Sequence, residues 1–170
     1  MSDEGASHLH PCARCAKMQR TCCQSTEIFV TLGDVRRIGE HAPGVTFHES
    51  RRPLDPEYLG RDDDDPIWAE ATVRPGGLRR VLKKTETGDC VFLGEAGCRL
   101  PEDVRPIVCR IYPFSFNEDG IDGEDPEYCP TSVLAPVGTN MSTVLGMSRA
   151  RAESWRKQLY AELREELATR

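Results

Sequence analysis

Eight cysteines in two separate groups constrain this chain more than any other feature of its sequence. Four lie within the first 23 residues and four lie between residues 90 and 129, the full set being Cys12, Cys15, Cys22, Cys23, Cys90, Cys98, Cys109 and Cys129. The 66 residues between the two groups contain none. Segments of 12 and 40 residues are too short to bury cores of their own. We therefore expect the two groups to meet in space within one domain.

The charge and hydropathy of the chain exclude several classes of function. Its net charge of −6 argues against nucleic-acid binding through a basic face. It has no apolar run of about 18 residues, so we predict no membrane span. The polar, acidic beginning predicts no secretory signal. We expect a cytoplasmic protein, and in a reducing compartment cysteine clusters more often bind metal or carry out redox chemistry than form disulfides.

The cysteine spacing favours metal binding. The Cys12-Ala-Arg-Cys15 turn lets two thiolates converge on one metal, and cysteines from a distant segment can close the site. The adjacent Cys22 and Cys23 point apart, so either they serve two sites or one is structural. A zinc ribbon needs a second such pair, and the ferredoxin spacings are absent, so spacing alone leaves zinc and iron–sulfur open. A redox dithiol needs a thioredoxin-like context, which the surrounding sequence does not supply.

The sequence pattern predicts a small α+β domain that is irregular around the metal site, with short helices, a β-hairpin and a long C-terminal helix. The hairpin is expected to join Leu78–Lys84 to Cys90–Leu93 through Thr87-Gly88. Residues 50–77 are expected to be mostly loop, with an exposed acidic run over Asp62–Asp65. A second acidic loop is expected over Asn117–Glu127. Five basic residues are expected to form a solvated strand face: Arg74, Arg79, Arg80, Lys83 and Lys84.

Capping and periodicity predict three helices. The first follows Gly33-Asp34, with Asp34 or Thr31 as its cap. The second is short, from Val104 to Tyr112, and is interrupted or restarted at Pro106. The third covers Ser142–Ala168, where an apolar stripe packs on the core or on a partner copy; the stripe is Ala152, Trp155, Leu159, Leu163 and Leu167. The predicted organisation is a flexible N-terminus (1–11), a cysteine-cluster domain (12–130) and a helical extension (131–170) packed on the domain or on a partner.

An ordered set of motifs resembles the CxxCxxCC, or YkgJ-type, cysteine-cluster family, which is described as a zinc- or iron-chelating domain. The motifs are Cys12-x2-Cys15-x6-Cys22-Cys23, Val30-Thr-Leu-Gly-Asp34, Cys90-Val-Phe-Leu93, Gly97-Cys98 and Arg105-Pro-Ile-Val-Cys109-Arg-Ile-Tyr-Pro-Phe114. The resemblance covers roughly residues 12–130. One departure is that six residues rather than two separate Cys15 from the cysteine pair.

The resemblance implies that the metal ligands come from the eight cysteines and that Arg105 and Arg110 supply two cations beside Cys109. A four-thiolate site that holds Zn²⁺ or a [4Fe–4S]²⁺ core has a net charge of −2, and buried negative charge needs donors or counter-charge. A related domain in flagellin lysine methylases is associated with an iron–sulfur cluster, and that analogy favours the cluster over zinc. The methylase activity is not carried over, because the chain lacks a recognisable cofactor-binding domain.

Three hypotheses about function remain open. The first is a cytoplasmic bacterial iron–sulfur or zinc protein with a structural, redox or metal-handling role. The second is a cluster-dependent oxidoreductase or protein-modifying enzyme, whose pocket lies near Arg105, Arg110 and Tyr112. The third is a metal-responsive adaptor that binds a protein partner through the C-terminal helix.

Overall fold

The computed structural model describes residues 11–17, 24, 26–60, 64–124, 134 and 137–170. Its helices are α1 (Pro11–Lys17), α2 (Leu32–His41), α3 (Pro66–Thr72), α4 (Ile107–Ile111), α5 (Met141–Leu145) and α6 (Arg149–Ala168), with a 3₁₀ helix at Pro56–Leu59. Its strands are β1 (His48–Arg51), β2 (Arg79–Leu82), β3 (Leu93–Gly94), β4 (Gly97–Cys98), β5 (Phe114–Phe116) and β6 (Ile121–Glu124). The mixed α+β class with a long C-terminal helix is confirmed. Several predicted features lie outside the described residues: residues 1–10 of the predicted N-terminus (1–11), the Cys12 side chain, Cys22, Cys23 and Cys129.

The strands form three antiparallel pairs, β1 with β2, β3 with β4 and β5 with β6. The predicted hairpin is present next to its turn, where Lys84 bridges Cys90 and Val91 N donates to Lys83 O at 3.2 Å. It does not extend along β2, which pairs instead with β1, with Arg51 opposite Arg79. The other edge of β2 bonds to the chain at Ile28 and Val30, and all four residues of β2 are buried in this central position.

Two segments expected to be loop contain regular structure. Helix α3 begins at Pro66, with the Asp65 side chain accepting from Trp68 N at 3.0 Å. Asp65 is buried, so the solvated acidic run is wrong at this residue, where an N-cap followed by proline is a strong helix start. Strand β6 lies inside the expected acidic loop and pairs with β5.

Helix α2 begins as the sequence predicts, with Thr31 as its cap. The Thr31 hydroxyl accepts from Asp34 N at 2.9 Å, and Asp34 Oδ2 accepts from Thr31 N at 3.0 Å, forming a reciprocal capping box. Two backbone donors at the helix start are satisfied by this exchange.

The C-terminal segment is broken into α5 and α6 at Gly146, whose φ of 64° is left-handed and ends α5 in the way glycine commonly ends helices. Ser148 then caps α6. The expected single helix from Ser142 is therefore wrong at its first turns. The apolar stripe of α6 packs on the chain's own core, where Leu159 and Leu163 are fully buried. Within the part of the chain that the structure describes, no helix is long and apolar enough to cross a membrane.

Two carboxylates of α6 join it to the start of α2 and to β2. Glu162 accepts from the Thr31 hydroxyl and from Arg37 Nη1. Glu166 accepts from Leu32 N at 2.6 Å and from Arg80 Nη2 at 3.1 Å. The solvated strand face is therefore wrong at Arg79 and Arg80, both of which are buried; Glu166 supplies the counter-charge that lets Arg80 be buried.

Candidate metal centre

Three cysteines of the second group belong to one apolar cluster. Cys90 is buried within it, and Cys98 and Cys109 pack against it. Cys98 lies on β4 and Cys109 on α4. The cluster also includes Phe92, so three cysteines separated by up to 19 positions in sequence meet at one apolar cluster, with Cys98 and Cys109 partly exposed.

Helix α1 brings the first cysteine group to the second. It packs against β4, and a Cβ built on Gly97 would lie 3.8 Å from Ala13 N. Gly97 has a φ of 105°, a left-handed conformation that glycine adopts without strain, and a Cβ there would lie at ordinary contact distance from α1. Cys15 on α1 is buried. The described parts of the two groups therefore meet, as the sequence predicts for a single domain.

Arg105 lies within hydrogen-bonding reach of the Cys98 thiol. Burial raises the pKa of Cys98, while the backbone N–H of Leu100 and the Arg105 guanidinium act in the opposite direction. Arg105 Nε also donates to Leu100 O at 2.9 Å, which fixes the orientation of the guanidinium. These donors are the groups that a buried thiolate needs.

Arg110 lies on α4 and Tyr112 directly follows that helix. Arg110 donates through Nε to Arg105 O at 2.7 Å, and burial lowers its pKa, with the nearby charge of Arg37 acting in the same direction. Tyr112 packs beside Cys15 in a small apolar cluster.

The buried carboxylate of Asp34 positions α4, a role that the sequence did not indicate. Asp34 Oδ1 accepts from Ile107 N at 3.2 Å, which is the first N–H of the helix that carries Cys109. Asp34 is fully buried, and it ties the starts of α2 and α4 together. The only sequence signal was its position three residues after Thr31, which predicts a cap and not a contact with residue 107.

The donor set fits zinc or iron in chemical type, because both metals bind thiolates in dry, hydrogen-bonded sites. Among the residues that the structure describes, no three histidine, cysteine or acidic side chains are grouped closely enough to hold a metal ion. Four of the eight predicted cysteine ligands have no described side chain, so the described thiols form part of the predicted ligand set.

A cavity of about 530 Å³ opens beside the cysteine-bearing helix. Cys109 and Tyr112 line one wall, and Trp68 and Arg79 line another. Small-molecule sites have volumes in this range, about 300–1,000 Å³. The cavity therefore offers room for a ligand next to a predicted metal ligand.

A small α+β domain that brings together cysteines from two distant segments is typical of cysteine-rich metal-binding proteins. The chain belongs to the CxxCxxCC family, whose model matches residues 11–130 and is described as a "putative zinc- or iron-chelating domain". This match supports metal binding, with zinc or iron as the metal. No curated protein and no solved structure matches the chain.

Proposed function

We propose that this protein is a cytoplasmic iron–sulfur protein whose cysteine thiolates hold the cluster, with zinc as the alternative metal, in a structural, redox or metal-handling role. Residues 12–130 form the metal-binding domain, and residues 131–170 are an extension packed on it. The observation that carries the proposal is the packing of α1, which bears Cys15, against β4, which bears Cys98. This contact joins the two cysteine groups that the family model includes in one domain.

The surroundings of the thiols support a buried anionic centre. A four-thiolate site with Zn²⁺ or a [4Fe–4S]²⁺ core has a net charge of −2, which is costly in an apolar cluster without donors. Arg105 and the Leu100 N–H are placed at Cys98, and a guanidinium stays protonated at every physiological pH. Arg110 adds a second buried cation one residue from Cys109, and Tyr112 packs against the neighbourhood of Cys15.

Metal binding is expected to stabilise the fold. Three of the proposed ligands, Cys15, Cys98 and Cys109, lie on α1, β4 and α4, so they converge only when those elements are in place. A metal that binds this arrangement and not the unfolded chain adds its binding free energy to folding.

The test is the metal content of two single variants, Cys15→Ser and Cys98→Ser, one from each cysteine group. Both are expected to lose most of the metal, because each removes a ligand from the same centre. Ala16→Ser is the matched control, since it places a serine in α1 beside Cys15 without removing a thiol, and it should keep the metal of the wild type. Full metal content in both cysteine variants would contradict the proposal.

The cavity beside Cys109 favours a second candidate, a cluster-dependent enzyme that acts on a bound ligand. A structural centre is expected to keep closed coordination, whereas a catalytic one keeps an open position. If the second candidate is correct, a ligand that fills the cavity should change the visible absorption of the metal centre. An unchanged spectrum with the cavity filled would favour the structural role. The adaptor hypothesis has no such support, because the apolar stripe of α6 is buried in the chain's own core.

A further inference from the structure

A buried arginine on the wall of the cavity has unused hydrogen-bond donors. Arg79 is 2% exposed, and its guanidinium carbon lies 3.9 Å from the centroid of the Tyr58 ring and 5.7 Å from that of Trp68. Nε and Nη1 of Arg79 have no hydrogen-bond partner among the described residues. Stacking on aromatic rings offsets part of the cost of burying a cation, but it leaves donors unpaired. An anionic acceptor such as a carboxylate would satisfy them in the bidentate geometry that guanidinium favours.

A carboxylate on the same cavity has an oxygen without a hydrogen bond. Glu27 Oε2 accepts from Leu54 N at 2.9 Å, while Glu27 Oε1 forms an ion pair of 3.6 Å with Arg51 Nε, and the charge of Glu27 also acts on Arg79. In the described part of the chain, Oε1 has no hydrogen-bond partner. The cavity wall also carries three aspartates, which add negative charge: Asp64, Asp65 and Asp122. This acidic side would repel a simple anion and would attract an ammonium group.

The rest of the lining is aromatic. Six rings border the cavity, those of Phe29, Tyr58, Trp68, Tyr112, Phe114 and Phe116. Trp68 makes edge-to-face contacts with Phe29 and Phe116, at 5.6 Å between ring centroids in each pair. Such a lining binds apolar or aromatic bodies, and the polar groups determine how the ligand is oriented.

We propose that this cavity binds a small amino-acid-like zwitterion, with its carboxylate at Arg79, its ammonium group at Glu27 and its apolar body among the aromatic rings. The described lining has one cationic side chain, Arg79, and several carboxylates, so a ligand that carries both charges suits it better than one that carries a single charge. Arg79 Nε, Arg79 Nη1 and Glu27 Oε1 are all buried, so binding requires Tyr58, which stacks on Arg79 and lines the cavity, to move aside. The proposal goes beyond metal binding and does not depend on which metal is held.

The test uses three related probes in calorimetric titrations of the full-length protein purified with its metal. L-phenylalanine carries both charged groups, 3-phenylpropanoate lacks the ammonium group, and 2-phenylethylamine lacks the carboxylate. L-phenylalanine is expected to bind roughly tenfold or more tightly than either analogue, because each analogue lacks one of the two charged groups that the proposal places at Arg79 and Glu27. Equal affinity for 3-phenylpropanoate, or a Kd for L-phenylalanine above about 1 mM, would overturn the proposal.

Three variants locate the site. Arg79→Met and Glu27→Gln should each weaken L-phenylalanine binding by roughly tenfold or more. Arg74→Met removes an equal charge from an exposed position five residues away and should leave the affinity unchanged. If Arg79→Met does not fold, Arg79→Lys is used instead. Lysine keeps the positive charge but cannot donate two parallel hydrogen bonds as a guanidinium does, so this variant should still weaken binding. Wild-type affinity in the folded Arg79 variant, or an equal loss in Arg74→Met, would overturn the assignment.

The emission of Trp68 provides an independent report on the location. The chain has two tryptophans, and Trp155 packs on the core formed with α6 and does not line the cavity. In a Trp155→Phe background, L-phenylalanine should change the remaining emission with the midpoint found by calorimetry. Binding that leaves this emission unchanged would place the ligand elsewhere and refute the proposal.

Discussion

Replacing Glu166 with glutamine tests how α6 is held on the domain. Glu166 and Arg80 are both buried, with side chains 7% and 5% exposed, and they form hydrogen bonds of 3.1–3.2 Å. The glutamine Oε1 can still accept from Leu32 N and from Arg80 Nη1, but the Arg80 charge loses its counter-charge and the two hydrogen bonds to Oε2. Removing one partner of a buried pair costs about 3–5 kcal/mol. For a chain of this size, that loss corresponds to a fall in Tm of roughly 6–20 °C.

The assay is urea unfolding followed by far-UV circular dichroism, with every variant in the same metal-loaded state. Glu165→Gln removes the neighbouring exposed charge of α6, and its free energy of unfolding should stay within about 0.5 kcal/mol of the wild type. The double variant Arg80→Met/Glu166→Leu should be more stable than Glu166→Gln, because it leaves no buried charge alone. If the free energy of unfolding of Glu166→Gln lies within about 0.5 kcal/mol of the wild type, the Glu166 charge does not stabilise the buried Arg80 and the reasoning is refuted.

Three further predictions concern α2 and the contact between the two cysteine groups. Thr31→Ala removes the N-cap and should lower the free energy of unfolding by about 1–2 kcal/mol in urea titrations; no loss would contradict the cap. Burial opposes ionisation of Glu162, but hydrogen bonds led by that from Arg37 hold its pKa below the ordinary 4.5. The Glu162 carboxylate therefore stabilises the fold above pH 4.5 and loses this effect as the pH falls through its folded-state pKa. The difference in free energy of unfolding between the wild type and Glu162→Gln should shrink below pH 4.5. A difference that stays constant with pH would contradict this role of Glu162. Gly97→Ala should lower stability by about 1–2 kcal/mol because of its left-handed φ. It should also speed the loss of metal to a chelator, because Gly97 lies in β4, which contacts α1. The control Gly76→Ala, with φ +96° and open space around the new Cβ, should lower stability without speeding the loss of metal.

Local signals predicted the elements whose causes are local. The Thr31 cap and the restart of a helix at Pro106 depend on residues within one turn of each helix end. The same kind of signal was present at Asp65-Pro66 but was outweighed by the acidic, proline-rich surroundings, so α3 was missed.

Long-range pairing could not be predicted in this way. The predicted hairpin forms only next to its turn, at Lys84 and Cys90. Both edges of β2 are occupied by other segments, one by β1 and the other by the chain at Ile28 and Val30. Burial of Arg80 depends on Glu166, which is 86 positions away. Composition shows that a chain has both charges, but only the fold shows that two of them meet in the core.

For the candidate site as well, the sequence predicted the features with local signals and missed those that depend on tertiary packing. Cysteine spacing was sufficient to predict metal binding, which the family match supports. The contact between α1 and β4 and the position of Arg105 at Cys98 depend on tertiary packing. The cavity had no sequence signal, because Arg79 and the six rings come from five separate parts of the chain.

The most direct test of the central claim is elemental and sulfide analysis, with visible absorption, of protein purified without oxygen beside its Cys109→Ser variant. We predict brown protein that contains iron and acid-labile sulfide, with both lost or strongly reduced in the variant. Colourless protein with stoichiometric zinc, lost in the same variant, would keep the cysteine centre and replace the cluster by the alternative metal. Wild-type protein with neither metal, or a metal content that Cys109→Ser leaves unchanged, would contradict the claim that these cysteines hold a metal centre.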